Sequence, residues 1–379
     1  MADSSTHHVY LIPGLFGFAS LAGYDYFAHL ETAISERFAR EGVSVRIELV
    51  PSLPTASIMA RAALAARTIA RTAGESGGPI HLVGHSSGGL DARLLLSPGV
   101  RLAIAPEEFA VLRRVRTLVG INTPHYGTPL AGYFSTVSGA RFLYLLSLLT
   151  VTTLSLGRLP LSVLAGLVGA IRAIDTGLGL DIQLIDNITE NVLRIVGERG
   201  RQEIRHFLTG VQEDQSGIHQ LMPEVLELFN ATVQNSPDVR YASVATAAPP
   251  PRARRLLRAV LSPMSALQLA AYTTLYGVTS QADRRYPYAA PTAQQAQALT
   301  AGFGREIRPE NVDGVVPTLS MLWGDLLWCG PADHLDVVGH FGDKTTNPPH
   351  VDWLRSGAGF NRNQFAQMVD AVCRFMLAT

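Results

Sequence analysis

Gly84-His85-Ser86-Ser87-Gly88 stands directly behind Ile80-His81-Leu82-Val83 and ahead of Gly89-Leu90-Asp91-Ala92-Arg93-Leu94. The residues before it read as a buried strand and those after it as the start of a helix. The G-x-S-x-G between them reads as a nucleophile elbow, a strand-to-helix turn so tight that the serine backbone is strained. A side chain at either flanking position would collide with the neighbouring strand or helix, and glycine at 84 and 88 removes that collision. Such a turn lifts the Ser86 hydroxyl to the top of a sheet, beside a helix N-terminus whose unpaired N–H groups and dipole favour an oxyanion. Ser86 is therefore the candidate nucleophile. A glycine-rich phosphate turn or an ordinary strand–helix connection is the bland alternative, and context decides between them.

That context is strand and helix in alternation. Residues 9–12 form a short apolar strand ending in Pro13-Gly14, and a helix follows with Phe27, Leu30, Ile34 and Phe38 on one face. Residues 43–50 alternate like a strand, 57–72 are Ala-rich and helical, and 115–121 read as another strand. The alternation implies a mostly parallel sheet covered by helices on both faces, an α/β class. Long aliphatic stretches from about 133 to 218 break the pattern and read as an inserted helical cap or lid. The sheet resumes near 239–244. A second interruption begins at Pro249-Pro250-Pro251 with Arg252, Arg254, Arg255 and Arg258, and 311–319 return to the core before a last helix over about 361–377. The expected organisation is a first core part over 1–132, a cap over 133–218, and a second core part over 219–379 with a smaller insertion at about 249–300.

Composition narrows the partners. The chain is 47% hydrophobic and only 16% charged over 379 residues, which suggests greasy surfaces or a greasy substrate. The formal net charge is zero, Lys344 is the only lysine and the arginines are scattered among acids, so no footprint for nucleic acid is present. Cys329 and Cys373 are too few for a disulfide framework or a thiolate metal cage. The start, from Met1 to His8, has neither a basic region nor a long apolar run. No signal peptide is therefore expected, and a cytoplasmic location follows unless the chain is a mature form. Residues 142–157 are uncharged and apolar, but Arg158 and Pro160 interrupt them before the roughly 20 residues a membrane span needs. They read as an oil-facing lid or, more plainly, as a buried helix pair.

A serine hydroxyl is a poor nucleophile at neutral pH and needs an imidazole to take its proton and a carboxylate to orient that imidazole. After an elbow serine these follow in the order acid, then histidine. Asp313 lies in a turn before Gly314, and His334 follows in Ala332-Asp333-His334-Leu335-Asp336. Position alone leaves His340 and His350 open as rivals, while Asp325 and Asp333 read as structural caps. His85 adjoins Ser86 but points the wrong way on the turn, so it reads as a packing or hydrogen-bonding residue. Two backbone donors should hold the oxyanion, the N–H of Ser87 and the N–H of Leu15 in the loop after the first strand.

Gly14-Leu15-Phe16-Gly17-Phe18, Tyr24-Asp25-Tyr26-Phe27, the elbow, Thr123-Pro124-His125-Tyr126-Gly127-Thr128, Val312-Asp313-Gly314-Val315-Val316 and Asp333-His334-Leu335-Asp336 together resemble the bacterial triacylglycerol lipases of the α/β-hydrolase superfamily. The resemblance implies an α/β-hydrolase fold and hydrolysis of esters with apolar acyl groups through an acyl-enzyme on Ser86. His334 and Asp313 would complete the triad, under a lid that begins after Gly132 and contacts a lipid surface. It implies a hydrophobic ester as substrate, with no nucleic acid and no dedicated foldase. Pro13 stands where such lipases usually have histidine, and Leu319 replaces a cysteine of their disulfide. Asp336 matches one carboxylate of their calcium site, but His340 stands where an amide is usual and no acid occurs at 290–292. No cofactor is therefore expected, and Asp336 is a calcium candidate only. Polyester hydrolysis, acyl transfer to an alcohol and non-catalytic lipid binding are the competing readings.

Overall fold

The computed structural model describes residues 6–15, 20–21, 24–51, 53–73, 77–156, 163–164, 166–167, 169–170, 182–195, 198–251, 263–281, 286, 288, 290–347 and 349–379. Strands are β1 (His7–Ile12), β2 (Ser20–Leu21), β3 (Tyr24–Asp25), β4 (Val45–Leu49), β5 (Ile80–His85), β6 (Val115–Ile121), β7 (Arg240–Ala247) and β8 (Asp325–Pro331). Helices before β7 are α1 (Ala28–Arg40), α2 (Ile58–Ala73), α3 (Gly88–Leu96), α4 (Pro106–Leu112), α5 (Pro129–Phe134), α6 (Val137–Leu156), α7 (Ile182–Ile195), α8 (Glu198–Glu213), α9 (Ser216–His219) and α10 (Pro223–Thr232). After β7 come α11 (Pro263–Thr279), α12 (Ala293–Phe303) and the C-terminal α13 (Arg362–Leu377).

Six strands make one sheet in the order β4-β1-β5-β6-β7-β8, and every neighbouring pair is parallel. β2 and β3 form a separate antiparallel pair. In the central strands successive residues serve opposite faces, as a two-residue side-chain period requires. Val9, Leu11 and Val83 belong to one buried cluster with Leu30, Ile34 and Phe38 of α1 and Phe365 and Met368 of α13. Tyr10, Ile12 and Leu82 belong to the other, with Ile69 of α2 and Leu90 and Leu94 of α3. Both faces are thus covered, which is why β5 is buried along its whole length. Between β6 and β7 the described elements are all helices, and their apolar faces continue the first cluster through Phe142, Leu146, Ile188 and Phe207.

Two elements depart from the reading of the sequence. Asp325 caps no helix but opens β8, an edge strand paired only with β7. β8 is only half-buried along most of its length, with Gly330 and Pro331 at its end, unlike the fully buried β5. The short α4 was likewise not anticipated. Among the described residues no helix is long and apolar enough to cross a membrane. Arg158, Pro160, Phe16-Gly17-Phe18 and the arginines at 252, 254, 255 and 258 lie outside the described residues. Both cysteines are free thiols, and Cys373 is buried in α13.

Candidate active site

Ser86 sits between β5 and α3 with φ at 55°, a left-handed backbone that a non-glycine residue adopts only where its surroundings enforce it. Its N–H donates to Ile121 O at the end of β6, 2.9 Å away. A Cβ on Gly84 would fall 2.4 Å from the Gly89 nitrogen, and one on Gly88 would fall 2.2 Å from Ile12 O. The turn therefore closes only with glycine at both places. A Cβ on Gly14 would lie 3.0 Å from Ser86 Oγ, so the loop after β1 passes directly beside this hydroxyl.

Asp313 lies beyond the end of β7 in a loop closed by an antiparallel bridge between Val312 and Pro317, and Gly314 takes φ of 103° to turn it. The carboxylate is fully buried. Its Oδ1 accepts from the N–H groups of Val315 at 2.8 Å and Val316 at 2.7 Å. Its Oδ2 lies 2.6 Å from His334 Nδ1. An ionised carboxylate only accepts, so the proton of this bond belongs to Nδ1, leaving the Nε2 lone pair available. His334 follows β8 by three residues, and its own N–H donates to Asp313 O at 3.2 Å.

The turn that delivers His334 is knitted from within. Asp333 Oδ1 accepts from the N–H groups of Leu335 and Asp336, its Oδ2 from the Ser356 hydroxyl, and Asp336 Oδ2 from Asp333 N–H. Burial holds both carboxyls above the usual range, and each is raised further by neighbouring acids, among them Asp352. Asp336 thus braces the histidine turn. No cluster of three or more metal-binding side chains occurs among the described residues, and one Asp336 oxygen is already committed to a backbone amide.

His85 fastens the same turn from below. Its Nε2 lies 2.9 Å from His334 O, a carbonyl that can only accept, so Nε2 carries the proton and Nδ1 accepts from Tyr26 Oη at 2.9 Å. Burial, then the adjacent His334, keeps its pKa well below the usual imidazole value. Among the rivals, His350 donates from Nδ1 to Gly339 O and stacks on His29 at 3.7 Å. His340 is buried beside Tyr26.

Around the elbow lies a clamp that sequence reading missed. Arg61 of α2 reaches Asp91 Oδ2 with Nε at 2.9 Å and a terminal nitrogen at 2.7 Å, and the same nitrogen donates to Pro13 O at 2.7 Å. The elbow helix and the loop after β1 are thus tied to one guanidinium. A clue was available: every residue of α3 is buried, and a charged residue on such a helix needs a buried partner. The expected oxyanion donor Leu15 N–H donates to Ser87 Oγ at 2.9 Å.

Ser86 and His334 both line one cavity of about 1000 Å³, counting the open space at its mouth. Its walls come from Leu130 and Phe134 of α5, Leu143 and Leu146 of α6, and Leu275 of α11. Ser147 and Thr150 also face it, but their hydroxyls donate to Leu143 O and Leu146 O of their own helix. The cavity is therefore mainly greasy, and its other polar lining is Ser86, His85, His334, His340, Tyr26 and Thr128.

No protein-family model matches the chain, and no curated protein matches it. Among solved structures it is similar to lipase 1 from Pelosinus fermentans, with a TM-score of 0.51 and 14% identity over 99% of this chain and 98% of that one. It is also similar to Staphylococcus hyicus lipase, with a TM-score of 0.50 and 16% identity over 100% of this chain and 97% of that one. With its all-parallel sheet, helices on both faces and an elbow serine after β5, the chain has the α/β-hydrolase fold.

Proposed function

We propose that the chain is a serine hydrolase of carboxylic esters with apolar acyl groups. One arrangement carries this reading: Asp313 bonded to His334 Nδ1 at 2.6 Å, with His334 and a strained Ser86 on the wall of one apolar cavity. In this reading Ser86 Oγ attacks the ester carbonyl carbon while His334 Nε2 takes its proton, and Asp313 steadies the resulting imidazolium. The tetrahedral oxyanion is held by the N–H groups of Ser87 and Leu15. The C–O bond to the alcohol then breaks and the alcohol leaves with the proton from Nε2. Water attacks the acyl-enzyme, gives a proton to Nε2, and Ser86 departs with it. Residues 133–218 serve as the cap, whose apolar α6 face supports an aliphatic acyl group and offers it no free hydroxyl donor.

The similarity to two lipases supports the fold on which this chemistry sits; the choice of ester rests on the cavity. A chain-length series of p-nitrophenyl esters with the wild type and Ser86→Ala tests it. Loss of the hydroxyl should lower kcat by about 10⁶. Equal rates for the two proteins would refute the assignment.

A further inference from the structure

We infer that the Ser87 side chain is a placeholder for the oxyanion: its hydroxyl accepts the Leu15 N–H in the resting protein and yields it when the tetrahedral intermediate forms. This rests on the hydrolase reading above and adds a role for a side chain whose neighbouring N–H alone was expected to matter.

Three observations carry it. Ser87 precedes α3 with helical backbone angles, φ −61° and ψ −14°, so its hydroxyl is not committed to capping the helix and instead accepts from Leu15 N at 2.9 Å. Ser87 is almost wholly buried and is not part of the cavity wall, whereas Leu15 is. The amide of a cavity-lining residue is thus bonded to a group behind that wall. Lastly, Leu15 is held from both sides. Pro13 O is fixed by Arg61, and a Cβ on Gly217 of α9 would lie 3.0 Å from Leu15 Cδ2. α9 is itself tied to the body by Gly217 N–H donating to Thr55 O at 2.9 Å.

The energetics favour an exchange of partners. The Leu15 N–H is partly buried, and a donor shielded from water is costly without an acceptor, so the resting protein gains from a neutral acceptor at this place. An oxyanion is a stronger acceptor than a neutral hydroxyl, because charge-assisted hydrogen bonds are roughly twice as strong. Leu15 N–H therefore changes partner only when negative charge develops. The interaction with the ester is then made in the transition state and not in the ground state, which is the condition for raising kcat. The Ser87 hydroxyl sets the threshold for that exchange.

Removing the hydroxyl should raise the resting state and leave the transition state unaltered. Ser87→Ala should increase kcat/KM on p-nitrophenyl butyrate by about two- to tenfold, the range set by one neutral hydrogen bond. An alkylboronic acid, which forms a tetrahedral adduct on a serine hydroxyl, should bind tighter by the same factor, and the thermal midpoint should fall. Ser87→Thr, which keeps the acceptor, should gain less in kcat/KM than Ser87→Ala. Ser87→Val, matched to threonine in shape, should behave as alanine and repeats the comparison if the alanine variant folds poorly. A Ser87→Ala enzyme that is equal to or slower than wild type, or that binds the boronic acid more weakly, would overturn the placeholder. Wild type that neither turns over esters nor reacts at Ser86 with a fluorophosphonate would overturn the hydrolase reading itself, and this role with it.

Discussion

Replacing Asp313 by asparagine separates two duties of one side chain. Oδ1 accepts two backbone N–H groups at 2.8 and 2.7 Å, and an amide oxygen can do the same. At the other oxygen position, 2.6 Å from His334 Nδ1, the asparagine NH₂ meets a donor with a donor. The imidazole relieves this by carrying its proton on Nε2, which removes the base that Ser86 requires. The expected loss is about 10⁴ in kcat, or about 5 kcal/mol of transition-state stabilisation. Folding should lose only one hydrogen bond, about 1 kcal/mol. Asp313→Ala, by contrast, strips the acceptor from three buried N–H groups at about 1–3 kcal/mol each, a sum comparable with the whole stability of a domain. Steady-state kinetics on p-nitrophenyl butyrate with urea unfolding of both variants would measure this. A kcat for Asp313→Asn within tenfold of wild type, or an asparagine variant as unstable as the alanine one, would refute the reasoning.

Two other perturbations follow from buried charge. Arg61→Ala leaves the Asp91 carboxylate buried and unpaired, so urea titration should show a loss of about 3–5 kcal/mol, and adding Asp91→Ala should recover part of it. Simple additivity of the two substitutions would contradict the pairing. His81, bonded to Thr117 and His7 near the opposite end of β5 from Ser86, is pushed down to about 3 by burial first and then by His7 and His8. Its folded pKa lies below the unfolded 6.5, so the stability it contributes is complete above pH 6.5 and is lost as pH falls through that value toward 3. The slope reaches about 1.4 kcal/mol per pH unit. The stability difference between wild type and His81→Gln should therefore shift steadily in the variant's favour between pH 7 and 4, and a flat difference would sink this account.

What the sequence made legible was local. The elbow could be read because the steric need for glycine at 84 and 88 arises within a few residues, and the strand before it is a continuous apolar run. Asp313 and His334 were legible through chain order and motif resemblance, and the fold then brings them to 2.6 Å while leaving His350 with Gly339 and Asp325 at the start of an edge strand. β8 escaped because an edge strand is wetted along one side and its pattern lacks a clean period. Arg61 with Asp91, His85 with Tyr26 and His334 O, and Leu15 with Ser87 are pairings across the fold. No spacing in the chain encodes them; only the closed turn and the packed sheet bring them within reach.

The position of β8 sets the order in which this machine would come apart. It is an edge strand, paired in the sheet to β7 alone, and the histidine follows its end, whereas the serine rides on a strand flanked on both sides. Fraying at that margin would carry the imidazole off while the interior stays intact. Function therefore depends on the periphery as well as on the interior: an edge strand carries the base that the central serine needs.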